Sequence, residues 1–336
     1  MRAKIFFVHT GNETFTEIDR DLLSTSFDVS DFHASRKFPV DIVRYWQGVK
    51  STDAVFCWFA SWNSMWALLI AKFFHKPSVL VIGGYDLANL PNADYGQQRG
   101  GLGKWVSRYA IRLASTLFTN SYYSQMEAEQ NAGITANRVK VIYHGVPDPF
   151  DALPQIPKER MALTVGKVDV PNLKRKGLVP FVRTAALLPN IQFVLVGAWS
   201  DDSIEYLRSI ATKNVHFTGR ISKEVLLNYY QKASVYVQVS LHEGFGLSVA
   251  ESMLAGCIPV ITKAGSLPEV VGDCGIVCES SEPEDIARSI MIVLNSSPET
   301  RGRIRERIIT HFPLSLRQAS LNQIIQDQFG QAHGKH

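Results

Sequence analysis

Two carboxylates, Glu243 and Glu251, stand eight residues apart with Gly244-Phe245-Gly246 between them. The segment around them, Val239 to Ile261, reads as a strand end, a tight loop, a short helix and a further strand. Gly244 and Gly246 let the backbone bend sharply and come close to a ligand. Ser248 to Ala255 has helix-forming composition with Gly256 just past its end. Cys257 to Ile261 reads as a short buried strand with Pro259 near its start. A glycine-rich loop feeding a helix N-terminus presents unbonded amides and a partial positive charge, a seat for phosphate. The loop carboxylate then lies beyond the phosphate and the helical one about a turn behind it. A diphosphate with a hydroxyl-rich ring on either side, as in a nucleotide-sugar, would offer each carboxylate hydroxyl donors.

Cations follow the same logic. Met161 to Val165 reads as the first strand of a second α/β domain, Gly166-Lys167 follows it, and Lys174-Arg175-Lys176-Gly177 comes shortly after. Charged donors at a strand-to-helix loop, beside a glycine that admits close approach, suit a diphosphate. Two glutamates at this spacing are common, and the Lys174 to Lys176 run alone would pass for an exposed loop. The glycine loop, together with Pro268-Glu269-Val-Val-Gly-Asp273 after the next strand, makes coincidence a poor account.

The stretch Glu243-Gly-Phe-Gly-Leu-Ser-Val-Ala-Glu251 resembles the donor-site signature of the retaining, nucleotide-sugar-dependent glycosyltransferases of family 4, the group 1 enzymes of the GT-B fold. The resemblance is strongest from Met161 to Asp273. It implies an α/β protein of two Rossmann-like, doubly wound parallel-sheet domains facing across a cleft. Lys167 and Lys176 map to the pyrophosphate-holding positions. The first is more often arginine, so Lys167 keeps the charge but gives up the two-pronged geometry. By the same resemblance Glu243 orients the donor sugar and Glu251 the ribose. Phe245, Gly246, Leu247 and Ser248 form the phosphate loop, and the backbone around Ile221 meets the nucleobase. Glu243, Lys167 and Lys176 are thus the expected catalytic set. The family is thought to retain configuration by same-face attack, with no cofactor and no metal, the positive charge coming from lysines and a helix end. The partners implied are a nucleotide-sugar donor and a glycan or lipid-linked acceptor. A nucleotide-sugar 2-epimerase and a non-catalytic partner subunit are the rival readings.

The elements that must position these groups begin with Ile5 to Val8, a buried strand followed by His9-Thr10-Gly11-Asn12. The first strand-to-helix loop is where open parallel sheets bind ligands, and in the resembled family it faces diphosphate and acceptor. Gly11 is its candidate, although the usual paired glycines are missing. Many family members place a histidine near the reacting sugar. Tyr85-Asp86 occupies the equivalent loop here, without a histidine, and the resemblance makes Tyr85 and Asp86 candidates for contact with the acceptor. Trp58, Trp62 and Trp66 recur every four residues. That spacing on a helix is a core stripe, or, for Trp58 and Trp62 near a strand end, an aromatic platform for an acceptor sugar. Asp19-Arg20-Asp21 superficially matches a metal motif but is expected on the first helix with its charges in water.

A chain of 336 residues fits two domains. The expected bounds are 1–150 and 158–312, with the proline-rich run Pro147 to Pro157 between them and a last helix over 315–330 returning to the first domain. The tail His333-Gly-Lys-His336 is polar. Hydrophobic content of 46% and charge of 20% are those of a soluble globular protein. Cys57, Cys257, Cys274 and Cys278 make no disulfide framework or zinc spacing, so a cytoplasmic protein with reduced thiols is expected. The apolar stretch Val55 to Phe74 is broken by Ser61, Asn63 and Ser64, and the N-terminus turns polar too soon for a signal peptide, so no membrane span is expected. The net charge of +4 is too small to argue for nucleic acid. Lys104, Arg108 and Arg112, four apart on one helix with Trp105 and Tyr109 beside them, read as a solvated face or as a peripheral contact with an anionic membrane.

Overall fold

The computed structural model describes residues 2–11, 13–34, 40–151, 156–296 and 299–333. Asn12, residues 152–155 of the proline-rich run and residues 334–336 of the tail lie outside them. The chain divides into two compact units, Met1–Gly145 with Leu314–His336, and Val146–Pro313.

The first unit runs β1 (Lys4–His9), α1 (Thr14–Ser24), β2 (Asp28–His33), α2 (Val40–Ser51), β3 (Ala54–Trp58), α3 (Trp62–Phe73), β4 (Ser78–Ile82), α4 (Gly101–Leu113), β5 (Thr116–Thr119), α5 (Tyr122–Ala132) and β6 (Val139–Val141). Its six-stranded parallel sheet has the order β2-β1-β3-β4-β5-β6. The second unit runs β7 (Glu159–Val165), α6 (Val170–Arg175), α7 (Leu178–Thr184), β8 (Gln192–Val196), α8 (Ser203–Ile210), β9 (Val215–Gly219), α9 (Lys223–Lys232), β10 (Ala233–Gln238), α10 (Leu247–Leu254), β11 (Ile258–Ile261), α11 (Leu267–Val271), β12 (Ile276–Val277), α12 (Pro283–Leu294) and α13 (Glu299–His311). Its sheet has the order β12-β11-β10-β7-β8-β9. Helix α14 (Leu314–His333) belongs to the first unit again.

Each sheet winds outward in both directions from its first strand, so each has a place where the strand order reverses. In the first unit this lies between β1 and β3, and in the second between β7 and β10. Loops leaving the carboxyl ends of the two reversing strands diverge, and the crevice they leave is where open α/β sheets take ligands.

The inner strands are buried on both faces, which is why β1, β3, β4, β8, β10 and β11 read as apolar runs, whereas the edge strands β2 and β9 are only partly buried. In β3, Val55 and Cys57 join the core under α2, α3 and α4, whereas Phe56 and Trp58 point to the opposite face, against α1 and α14. The Trp58, Trp62, Trp66 stripe is therefore corrected. A strand reverses side every residue, so Trp58 is on the other side of the sheet from the α3 tryptophans. Trp58 is 1% exposed and stacked on His144, and offers no free face to a sugar.

Asp19 is the second correction. It lies on α1 as expected, but its carboxylate is buried, accepting from Arg317 Nε at 2.9 Å and Nη2 at 2.6 Å. Arg317 also donates to the Ile142 carbonyl at 2.7 Å. Only Arg20 and Asp21 keep the predicted surface position, paired at 3.1 Å.

Candidate active site

The Glu243 carboxylate lies in the loop after β10 and is 9% exposed. Its Oε1 accepts from Lys176 Nζ at 2.7 Å, from Gln238 Nε2 at 3.0 Å and from the Ser240 hydroxyl at 3.1 Å. Arg175 Nη1 stands 3.9 Å from the same oxygen. Burial pushes the carboxyl up, but the charges of Lys176 and Arg175 and the Lys176 hydrogen bond outweigh it and hold it below its ordinary value. Glu243 is thus a buried anion kept ionised by two cations that come from the other side of the reversal point.

Those cations are delivered by the end of α6. Asp169 caps this helix, accepting from the Asn172 amide at 3.0 Å. Arg175 is clamped by Asn172 Oδ1 and reaches the His242 carbonyl at 3.3 Å, and its own carbonyl accepts from the Leu241 amide at 2.7 Å. Gly177 turns the chain out of α6 with φ 68°, and a Cβ there would sit 2.3 Å from the Val239 carbonyl oxygen. The α6 end can lie flat against the β10 exit only because position 177 is glycine, and this contact sets Lys176 on Glu243.

Helix α10 begins immediately beyond. Gly246 is its N-cap with φ 89°, a left-handed conformation that a side chain would strain. The amides of Leu247 and Ser248 precede the first intrahelical bonds, so they face outward from the positive end of the helix. The Phe245 ring, by contrast, is buried edge-on against Phe312, so only its backbone is left for a ligand. One and a half turns into α10, Glu251 is half-buried and accepts from the Tyr230 hydroxyl at 3.1 Å. Burial pushes its carboxyl up to about 7, against the opposing pull of that hydrogen bond and of Lys223.

The remaining predicted residues are more scattered. Lys167, in the loop after β7, is exposed and pairs with Asp169 at 3.0 Å. Ile221 is half-buried in the loop after β9, next to the α9 cap Ser222. Gly11 follows β1. Its carbonyl accepts from His9 Nδ1 at 2.7 Å, and a Cβ there would meet nothing closer than 3.5 Å, so neither turn nor crowding requires glycine. Tyr85 is exposed and packs edge-on against Tyr95. Asp86 is buried, accepting from the Ala60 amide at 2.9 Å and the Gly83 amide at 3.1 Å. Burial raises its carboxyl to about 6 against those two bonds. It braces the loops after β3 and β4 and does not face solvent, which corrects its reading as an acceptor contact.

In the first unit, a cavity of about 600 Å³ lies at the β1/β3 reversal, lined by Thr10, Asp41, Tyr45, Ser61, Trp62 and Trp66 among others. It is walled mainly by aromatic carbon with one carboxylate, that of Asp41, which Arg44 approaches at 3.4 Å. Sequence reasoning missed Arg175, Gln238 and Ser240 in the second unit, and Asp41 and Tyr45 in the first. Arg175 alone carried a signal, since it adjoins Lys176. Among the described residues no group of three His, Cys, Asp or Glu is placed to hold a metal, and no helix is long and apolar enough to cross a membrane.

Residues 152–311 match the family described as Glycosyl transferases group 1. The O-antigen chain mannosyltransferase B of Escherichia coli is 29% identical over 154 residues, 43% of this chain and 40% of that protein. The MMP alpha-(1->4)-mannosyltransferase of Mycolicibacterium hassiacum is 39% identical over 72 residues, 21% of this chain and 18% of that one. The chain spans about half the length of the curated relatives it matches. Among solved structures, Anabaena Alr3699/HepE in complex with UDP and glucose superposes with a TM-score of 0.73 at 19% identity, over 98% of this chain and all of the other. This likeness, over nearly the whole length of both chains, establishes the GT-B fold.

Proposed function

We propose, from the match of residues 152–311 to the group 1 glycosyl transferases, that the chain is a retaining hexosyltransferase. The donor is a nucleotide-sugar, UDP- or GDP-linked, and the acceptor a sugar, glycan or lipid-linked saccharide. One observation carries this reading. Lys176 and Glu243 meet at 2.7 Å across the β7/β10 reversal, next to the open N-terminus of α10. The similar Anabaena protein was solved with UDP and glucose, and the curated relatives include mannosyltransferases.

In the reaction, the bond from the sugar's anomeric carbon to the β-phosphate oxygen breaks and its electron pair stays on the diphosphate. The acceptor oxygen bonds to the same carbon on the same face, and its proton passes to a phosphate oxygen. Negative charge grows on the leaving diphosphate, so fixed cations beside it stabilise the transition state more than the ground state. Lys176 has three ammonium protons and Glu243 occupies one, leaving others for the diphosphate. Lys167, in the loop after β7, and the Leu247 and Ser248 amides add further positive charge, which lets the site work without a metal. Glu243 orients the transferred sugar and Glu251, once ionised, accepts from the ribose hydroxyls. The first-unit cavity with Trp62 and Asp41 takes the acceptor: the C–H face of a sugar packs on an indole while a hydroxyl donates to the carboxylate.

The test combines binding with turnover. UDP, GDP and ADP are compared for their shift of the melting temperature, and the matching sugar nucleotides are then assayed for transfer. Nucleotide stabilisation and transfer that both vanish in Glu243→Ala and Lys176→Ala are expected. Release of a free epimerised sugar without acceptor would point to an epimerase, and binding without turnover on any donor to a non-catalytic subunit.

A further inference from the structure

Helices α2, α3 and α4 lie side by side on one face of the first sheet, their inner sides sharing the core of Tyr45, Leu68 and Val106. Their outer sides carry large apolar side chains that a water-facing surface would bury. Val43 and Trp46 on α2, Trp62 and Phe73 on α3, and Leu102, Trp105 and Tyr109 on α4 are all exposed, Trp105 by 71% and Phe73 by 65%. Trp62, Trp66, Leu69 and Phe73 follow helical spacing, as do Leu102, Trp105 and Tyr109, so each set forms one stripe. The Trp46 ring lies 5.3 Å from Phe73 and 4.8 Å from Phe74, which joins the α2 and α3 stripes. Contiguous exposed apolar side chains of this kind mark a binding surface.

Charge identifies the partner. The three helices carry Arg44, Lys50, Lys72, Lys104, Arg108 and Arg112 against one carboxylate, Asp41, which is buried beside Arg44. Lys50, Lys72 and Arg112 are exposed. Arg108 turns inward, donating to Gln98 Oε1 and to the Asn131 carbonyl, and is not part of the surface. Ordinary protein surfaces intersperse both signs. Exposed tryptophans among cations, with no exposed carboxylate on the same helices, match the headgroup layer of an anionic bilayer, where indoles sit at the interface and lysines pair with lipid phosphate.

We propose that the outer faces of α2, α3 and α4 dock on an anionic membrane surface. The Asp41–Trp62 cavity draws its walls from the first turns of the same α2 and α3. On the transferase reading above, the docked protein therefore receives an acceptor carried by a membrane lipid.

The experiment is vesicle co-sedimentation of the full chain without donor, so its result does not depend on the transferase reading. Vesicles of phosphatidylcholine alone are compared with vesicles containing about one third phosphatidylglycerol. Binding to the anionic vesicles alone is expected, weakened by raising the salt. Replacing Lys50, Lys72, Lys104 and Arg112 by Gln should weaken it on the order of a hundredfold or more, at roughly fivefold per charge. Phe73→Ser with Trp105→Ser should release the protein while its melting temperature and nucleotide binding stay as in the parent chain. Equal binding to both vesicle types, binding unchanged in either variant, or a dimer in sedimentation velocity that these substitutions dissolve would each overturn the proposal. If docking holds, transfer to a lipid-borne acceptor in vesicles should drop in the Phe73→Ser/Trp105→Ser variant while transfer to a water-soluble acceptor is kept. Loss of both would fault the transferase assay instead of the surface.

Discussion

Lys176 is paired with the buried Glu243 carboxylate, so its removal has two consequences that can be separated. It takes a cation from the leaving group, and it leaves a buried carboxylate with only Arg175, Gln238 and Ser240 to hold it. Lys176→Ala should lower kcat/KM by roughly 10²–10³-fold, and it should also lower the denaturation midpoint, because an abandoned buried charge costs about 3–5 kcal/mol. Glu243→Gln/Lys176→Met should regain much of the stability and none of the activity. A double variant no more stable than Lys176→Ala would show that the pair does not act as a unit. Glu251 is read out by pH instead. Its carboxyl sits up near about 7, so it takes up a proton as the solution becomes more acidic and ceases to be a pure acceptor. Nucleotide affinity should fall about tenfold per pH unit below that point and become flat in Glu251→Gln, as titration calorimetry across pH 5–8 would measure. The same raised value makes the folded state bind its proton more tightly than the unfolded chain does. Glu251 therefore contributes stability that is complete below its ordinary value and lost as pH rises toward 7. The glutamate spacing and the lysine before a glycine were legible in the sequence, since each belongs to one short segment. The partners of Glu243 were not legible, because Gln238 and Ser240 reach it only when the loop folds back on the end of β10, and Arg175 only when α6 turns against that strand.

At the scale of elements, the site depends on how one helix end meets one strand end. The end of α6 crosses the exit of β10 with no room for a methyl group at position 177. Gly177→Ala forces both a left-handed backbone on alanine, at roughly 1–3 kcal/mol, and a retreat of α6 from Val239. The expected result is a lower urea midpoint together with a fall in kcat, since the retreat carries Lys176 from Glu243. A variant with lower stability but unchanged kcat would separate the turn from the chemistry. Strands were legible as buried apolar runs, and the second unit's loops as the glycines that interrupt them. The facing of β3 was not. Tryptophans four apart straddle a strand and a helix, and a period counted across that junction has no geometric meaning, so Trp58 and Trp62 part company on opposite faces of the sheet. Asp86 was misread for a related reason. A carboxylate in the loop after β4 reads as a ligand group, yet here one amide of its own loop, Gly83, and one from the loop after β3, Ala60, bind it.

For the whole molecule, the order of the chain and the grouping of its segments in space differ. The backbone leaves the first unit at Gly145, builds all of the second, and comes back as α14, whose Leu321, Ile324 and Ile325 complete the core beneath Phe56 and Phe118. The return is fixed by Arg317, which joins α14 to α1 through Asp19 and to the chain just before the crossing through the Ile142 and Tyr143 carbonyls. This buried pair holds together segments nearly three hundred residues apart. A chain of two compact units is expected to depart from a single all-or-none transition, which makes the contribution of the pair measurable. Calorimetry with nucleotide assigns the steps, because a ligand of the second unit raises only the transition in which that unit unfolds. Arg317→Met should lower the other transition, by the roughly 3–5 kcal/mol of a deserted buried carboxylate, and leave the nucleotide-dependent one in place. Adding Asp19→Leu should recover most of that loss, since a well-packed apolar pair can replace a buried ion pair with little change in stability. If Arg317→Met instead lowered both transitions equally, α14 would be needed for the second unit to fold as well as for the first.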